Sequence, residues 1–212
     1  HTGPKADDGG WTGASFVFPR IQGADACGRI VAVGADADAT RIGERVLIDP
    51  VMRPPNGAPG HVEYFGADRD GAFAEFATVP SANAHRITSP LSDVELASFP
   101  CSGSAAENML ERAAVAAGET VLVTGASGGV GCAAVQLARR RGARVVALAG
   151  LAKAPVIESL GAAQVLARDA DLIAELGRES VDVVVDVVGG TQFPALLEVL
   201  KRGGRYAVAG AI

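Results

Sequence analysis

The stretch LVTGASGGVG, residues 122–131, lies between an apolar run and a helical pattern, and it restricts the possible folds more than any other feature of the chain. A glycine turn that ends a strand and opens a helix brings backbone close to an anion. The first-turn N–H groups and the helix dipole both point at that turn. Its centre, Ala126-x-Gly128-x-x-Gly131, has GxGxxG spacing with alanine in the first place. Gly128 would admit a phosphate to the backbone, and Gly131 would let the helix settle on the strand. Ser127, Gly129 and Val130 complete the candidate turn. A merely structural turn is the alternative reading.

The surroundings favour the phosphate reading. From about residue 105 short apolar runs alternate with helical patterns. Strands are expected over 120–125, 144–150, 163–167, 181–189 and 205–210, and helices over 128–143, 153–162, 169–179 and 191–204. Pro155 and Pro194 fall in first turns, where proline is tolerated. Strands apolar on both faces, separated by helices, predict a Rossmann-type doubly wound parallel α/β sheet.

Such a sheet with such a loop binds a dinucleotide, and the end of its second strand distinguishes the two common forms. An NAD site places Asp or Glu there, about 20 residues past the loop. Here residues 147–150 read ALAG and Lys153 follows, with Arg168 just past the third strand. Gly150 closes that run and is a further candidate coenzyme contact. A missing acid and nearby cations suit a 2′-phosphate, hence NADP over NAD. Lys153 as the start of a solvated helix is the plainer alternative.

The first half has a different grammar. Nine of the eleven prolines and eight of the ten aromatics fall within residues 1–100. Short β-branched runs at 28–34, 44–50 and 72–80, with a Pro- and Gly-rich loop over 51–61, predict an irregular β domain. The division is therefore expected as 1–100 and 101–212. A net charge of −5 argues against a nucleic-acid or acidic-membrane partner, and no apolar run is long enough for a membrane helix. Cys27, Cys101 and Cys132 form no CxxC and no disulfide framework, so a reducing cytoplasm is expected. The chain opens at His1 and its first methionine is Met52, which reads as a fragment of a longer protein.

The loop also fits the TGxxxGxG pattern of short-chain dehydrogenases. Those enzymes pair a tyrosine with a lysine four residues later. Tyr64 is followed at that distance by Asp68 and Tyr206 by Gly210, so that chemistry is missing. The ordered motifs FPRIQGADACGRIVAVG (18–34), GERVLIDP (43–50), DGAFAEFATVP (70–80), GETVLVTGASGGVG (118–131), DVVVDVVGG (182–190) and KRGGRYAVAG (201–210) instead resemble the medium-chain dehydrogenase/reductases. The resemblance spans nearly all of 16–212. It implies a partial GroES-like catalytic domain joined to a nucleotide-binding domain, with the family's first strands, last Rossmann strand and C-terminal return lying outside this chain. It also implies a homodimer at full length, acting on a small-molecule substrate, and little activity for this portion alone.

Zinc-dependent members of that family supply a ligand from a Gly-His-Glu stretch, which reads here Gly23, Ala24, Asp25. Their structural-zinc lobe carries four cysteines where 51–70 has none. Cys101 does match a ligand position, but a lone retained ligand is a poor zinc site, and a small buried thiol is the expected role. His61 and His85 match no ligand position. Asp25 is expected to hold a hydrogen bond or ion pair. The pattern resembles the quinone oxidoreductase and enoyl reductase branches, in which the nicotinamide delivers hydride. The resemblance places Gly189 in close approach near the nicotinamide side. Where the family has a Thr-Ala-aromatic contact, this chain has Ala105, Ala106 and Glu107. The implied function is NADPH-dependent, zinc-independent reduction of an activated alkene, quinone or carbonyl compound, with no catalytic residue assigned. A zinc-dependent alcohol dehydrogenase and a non-catalytic dinucleotide-binding relative remain the alternatives.

Overall fold

A computed structural model describes residues 17–54, 58 and 60–209. Residues 55–57 and 59 of the expected loop, and Gly210 at the end of the last expected strand, lie outside that set. The chain separates into two compact units, His1–Cys101 and Ser102–Ile212.

The first unit is built from short strands: β1 (Cys27–Arg29), β2 (Arg45–Ile48), β3 (Val51–Met52), β4 (Glu63–Tyr64) and β5 (Ala84–Arg86). β2 is the centre of an antiparallel sheet ordered β1-β2-β5, and β3 pairs with β4. Alternation along β2 turns Val46 and Ile48 inward, where they meet Met52, Phe65 and Ala84. The helix α1 (Asp93–Ala97) begins with a reciprocal capping box between Ser92 and Glu95. α2 (Pro100–Arg112) follows, and the division between units falls inside it.

Two expected strands of this unit are shorter than their sequences suggest. The run 28–34 is a strand only as far as Arg29. The run 72–80 is not a strand at all. Ala72 and Phe73 donate backbone hydrogen bonds to Gly23 and Gln22, but no strand ladder follows them among the described residues. Phe73 and Phe76 stand 78% and 67% exposed there.

The second unit is a five-stranded parallel sheet. Its strands are β6 (Thr120–Val123), β7 (Arg144–Ala149), β8 (Gln164–Ala167), β9 (Val181–Asp186) and β10 (Leu200–Val208), ordered β10-β9-β6-β7-β8. The helices between them are α3 (Gly129–Arg140), α4 (Ala154–Leu160), α5 (Leu172–Leu176) and α6 (Phe193–Val199). Neighbouring residues of a strand serve opposite layers. Val121, Val123, Val145, Ala147, Val183 and Val185 pack with Ala106, Leu110, Ala134 and Val135 of α2 and α3. Leu122, Val146, Leu148 and Val184 pack with Leu172 of α5 and with Leu196 and Val199 of α6. Both faces of the sheet are thus covered, as continuous apolar strands require.

Caps set the helix limits more tightly than the apolar pattern suggests. Asp171 accepts hydrogen bonds from the Ile173 and Ala174 amides, and Gly177 ends α5 at φ +81°, so the helix expected over 169–179 spans only 172–176. Gly161, at φ +119°, ends α4. The helix expected over 191–204 stops at Val199, and residues 200–204 enter β10 with a register shift before Arg205. No helix among the described residues is long and apolar enough to cross a membrane.

Candidate functional site

The order β10-β9-β6-β7-β8 means that the chain winds outward from β6 in both directions. Loops leaving β6 and β9 diverge at that reversal and leave a crevice beyond the carboxyl ends of the strands, where open α/β sheets bind ligands. A cleft of about 740 Å³ opens there.

The glycine turn forms one wall. Gly125, at φ +56°, turns the chain out of β6, and a Cβ on it would lie 2.7 Å from Val187 and 2.9 Å from Val188. Gly128 is the N-cap of α3, is exposed, and lines the cleft with Ser127. The first-turn amides of α3 have no carbonyl four residues back to bond. Lys153 and Arg168 line the opposite side, both exposed, and Asp169 lies beside them. Neither cation is held in an ion pair among the described residues. Gly150 lies near Arg168: a Cβ there would sit 3.9 Å from the Arg168 Nη2, an ordinary contact. Gly189, at φ +69°, forms the wall after β9.

Five of the ten sequence-nominated residues therefore line one cleft: Ser127, Gly128, Lys153, Arg168 and Gly189. The other five do not, for local reasons. Ala126 is fully buried, and its N–H donates to the Leu148 carbonyl, which fixes the turn to β7. Gly131 is buried where a Cβ would lie 2.7 Å from the Ala126 Cα, so it serves the helix-to-strand approach. Val130 packs against the core beneath α3. Gly129 faces Ser102, whose Oγ would be 2.5 Å from a Cβ. Gly150 stands behind the Arg168 guanidinium.

The sequence reading missed Thr124 and Asp186. Asp186 is 1% exposed at the end of β9. Its Oδ1 accepts from Thr124 Oγ1 at 2.5 Å and from the Val188 and Gly189 amides at 3.0 Å each. Its Oδ2 accepts from the Tyr206 hydroxyl. Thr124 Oγ1 in turn accepts from the Val187 amide at 3.0 Å. Burial works against the Asp186 charge, but the donors from Thr124, Tyr206, Gly189 and Val188 outweigh it and hold the carboxyl below its ordinary range. Burial and that carboxylate together push the Tyr206 phenol up. The available signal was an acid closing the apolar run Val183–Val185 at the carboxyl end of a strand, in VDVVVD.

In the first unit, Asp25 accepts a hydrogen bond from the Cys101 amide at 2.6 Å. Cys101 is exposed, not the small buried thiol its sequence suggested, because it sits in the first turn of α2; partial desolvation and the Asp25 charge still raise its thiol, which favours the neutral form. His61 and His85 are exposed. Among the described residues, no group of three His, Cys, Asp or Glu side chains is placed to hold a metal ion. In the second unit Glu107 is paired with Arg141 at 2.6 Å, and Ala106 is fully buried.

Residues 5–89 match the family model for the alcohol dehydrogenase GroES-like domain, and residues 129–212 match that for zinc-binding dehydrogenase. The chain belongs to the medium-chain dehydrogenase/reductase superfamily. Within the superfamily it is 32% identical to an acryloyl-coenzyme A reductase of Metallosphaera sedula, over 92% of this chain and 61% of that protein. It is 35% identical to an L-threonine 3-dehydrogenase of Anaeromyxobacter dehalogenans, over 94% of this chain and 62% of that protein. A crystal structure of an alcohol dehydrogenase from Sinorhizobium meliloti 1021 superposes with a TM-score of 0.84 at 48% identity, covering 93% of this chain and 56% of that one. The chain thus spans about three fifths of the length of the curated relatives it matches. Both halves of the superfamily architecture are represented in it: the GroES-like domain and the Rossmann-like sheet.

Proposed function

We propose that this chain is the coenzyme-binding part of an NADPH-dependent medium-chain reductase. It would act without zinc on an activated alkene, quinone or carbonyl compound. One observation carries the coenzyme reading. Lys153 and Arg168 both line the cleft that Gly128 opens, and the end of β7 just before Lys153, Ala149 with Gly150 after it, bears no carboxylate. A ribose 2′-hydroxyl calls for an acceptor at this point, whereas a 2′-phosphate calls for cations. Asp169 is the one acid lining the cleft among the described residues, and two cations outweigh it.

The glycine cradle fits a dinucleotide. Gly128 offers open backbone, and the α3 amides and helix dipole would hold the pyrophosphate. Arg168 and Lys153 would hold the 2′-phosphate. When bound, the nicotinamide supplies the hydride, and the protein contributes orientation and electrostatics. Ala24 stands where zinc-dependent members have a ligating histidine, and Asp25 is engaged with a backbone amide; both support a zinc-independent reaction. The acryloyl-coenzyme A reductase among the relatives supports an activated alkene as substrate.

A zinc-dependent alcohol dehydrogenase is the second reading. It is favoured by the proximity of Cys101 and Asp25 and by the match of 129–212 to a zinc-binding dehydrogenase family. Zinc analysis of the full-length protein separates the two: near-stoichiometric zinc supports the second reading. Calorimetric titration of this chain tests the coenzyme. Tighter NADPH than NADH supports the proposal, and tighter NADH overturns it.

A further inference from the structure

Asp186 takes no part in the reaction proposed above, yet it is the most completely enclosed acid among the described residues. A buried carboxylate persists only where donors replace its water. Four donors do so here: the Thr124 and Tyr206 hydroxyls and the Val188 and Gly189 amides. They come from three separate segments: the end of β6, the loop after β9, and β10. Thr124, Val188 and Gly189 themselves line the cleft. On the far side of the same loop, the side chains of Val187 and Val188 press on Gly125, where no Cβ would fit. The loop after β9 is therefore tied to one carboxylate through its amides and lies close against the glycine turn through its valines.

We propose that Asp186 is a positioning residue for dinucleotide binding, setting Thr124 and the Val188–Gly189 backbone as one wall of the cleft. The inference rests on the dinucleotide reading. A carboxylate is needed because it is acceptor-only, with lone pairs enough for all four donors. An asparagine would offer one acceptor oxygen and turn an NH₂ toward the remaining donor. Tyr206 adds a second grip. Its ring stands edge-on to Phe193 with centroids 5.3 Å apart, and that contact survives loss of the hydroxyl.

The test uses Asp186→Asn and Tyr206→Phe in this chain, with two readouts taken where each variant is fully folded: the dissociation constant for NADPH, and hydrogen exchange of the 187–189 amides. NADPH affinity is expected to fall about tenfold in Asp186→Asn and about threefold in Tyr206→Phe, as loss of hydrogen bonds to a charged group implies. Exchange at 187–189 should quicken while β7 stays protected. Unchanged affinity in folded variants, or unchanged exchange at 187–189, overturns the proposal and leaves the dinucleotide reading standing. If the wild-type chain binds neither NADPH nor NADH, both fall together. Should Asp186→Asn not fold, Tyr206→Phe decides alone.

Discussion

Arg205 and Glu119 meet through a single nitrogen: the arginine Nη2 lies 2.7 Å from one carboxylate oxygen and 2.8 Å from the other. The Arg205 Nε donates to the Ala113 carbonyl at 2.9 Å, and Nη2 also reaches Ala114 at 3.3 Å. One side chain thus joins the edge strand β10 to the end of α2 and the entry to β6. Replacing it removes a donor from two carbonyls at once and leaves the Glu119 carboxylate with the Ala116 amide alone. Arg205→Ala is expected to destabilise the second unit by about 2 kcal/mol, read as a lower urea midpoint with an unchanged slope.

The same pair gives a pH dependence of stability. The Ala116 amide holds the Glu119 carboxyl below its ordinary range against partial burial, with help from Arg205. On acidification the unfolded chain therefore takes up this proton first. The contribution is complete above the ordinary glutamate value of about 4.3 and is lost as pH falls through the lower folded value. Urea midpoints measured between pH 7 and pH 3 should fall less steeply for Glu119→Gln than for the wild type.

Coenzyme preference should follow the two exposed cations. Lys153→Ala and Arg168→Ala are each expected to weaken NADPH about tenfold and to leave NADH within about twofold, and the NADPH advantage should shrink with added salt. Titration calorimetry at two ionic strengths reads both effects. Equal losses for the two coenzymes would remove these side chains from the 2′-phosphate.

Gly131 makes a packing prediction. A methyl group there would lie 2.7 Å from the Ala126 Cα, backbone that cannot yield without moving the turn. Gly131→Ala should cost about 1–3 kcal/mol and weaken dinucleotide binding. Gly103→Ala is the control, because nothing lies within 4 Å of a Cβ there.

Cys101 makes a reactivity prediction. Burial and the Asp25 charge both raise its thiol. Removing that charge in Asp25→Asn should increase the thiolate fraction and speed alkylation of Cys101 a few-fold at pH 8. Site-resolved mass spectrometry separates Cys101 from Cys27 and Cys132.

The parallel sheet was legible because β6, β7 and β9 carry short apolar runs that alternate with helical patterns, and so were the turn and its cations, which lie just past the ends of β6, β7 and β8. The roles inside the turn were less so. Spacing already gave Gly128 to the cleft and Gly131 to the approach of helix and strand, but it nominated Ala126 as a cleft residue, and only the geometry shows that side chain buried and its amide tied to β7. The Thr124–Asp186–Tyr206 contacts join residues 62 and 20 positions apart, which no local pattern links. The run 72–80 suggested a strand, but a strand also needs a neighbour, and none pairs with it among the described residues.

β6 divides its side chains between two layers, Val121 and Val123 to one and Leu122 to the other. The same strand delivers the Thr124 hydroxyl to its carboxylate 2.5 Å away. One residue inserted in this strand would exchange its two faces and carry the hydroxyl out of reach. Its length therefore acts as a ruler, and this four-residue strand should tolerate changes of side chain far better than changes of count.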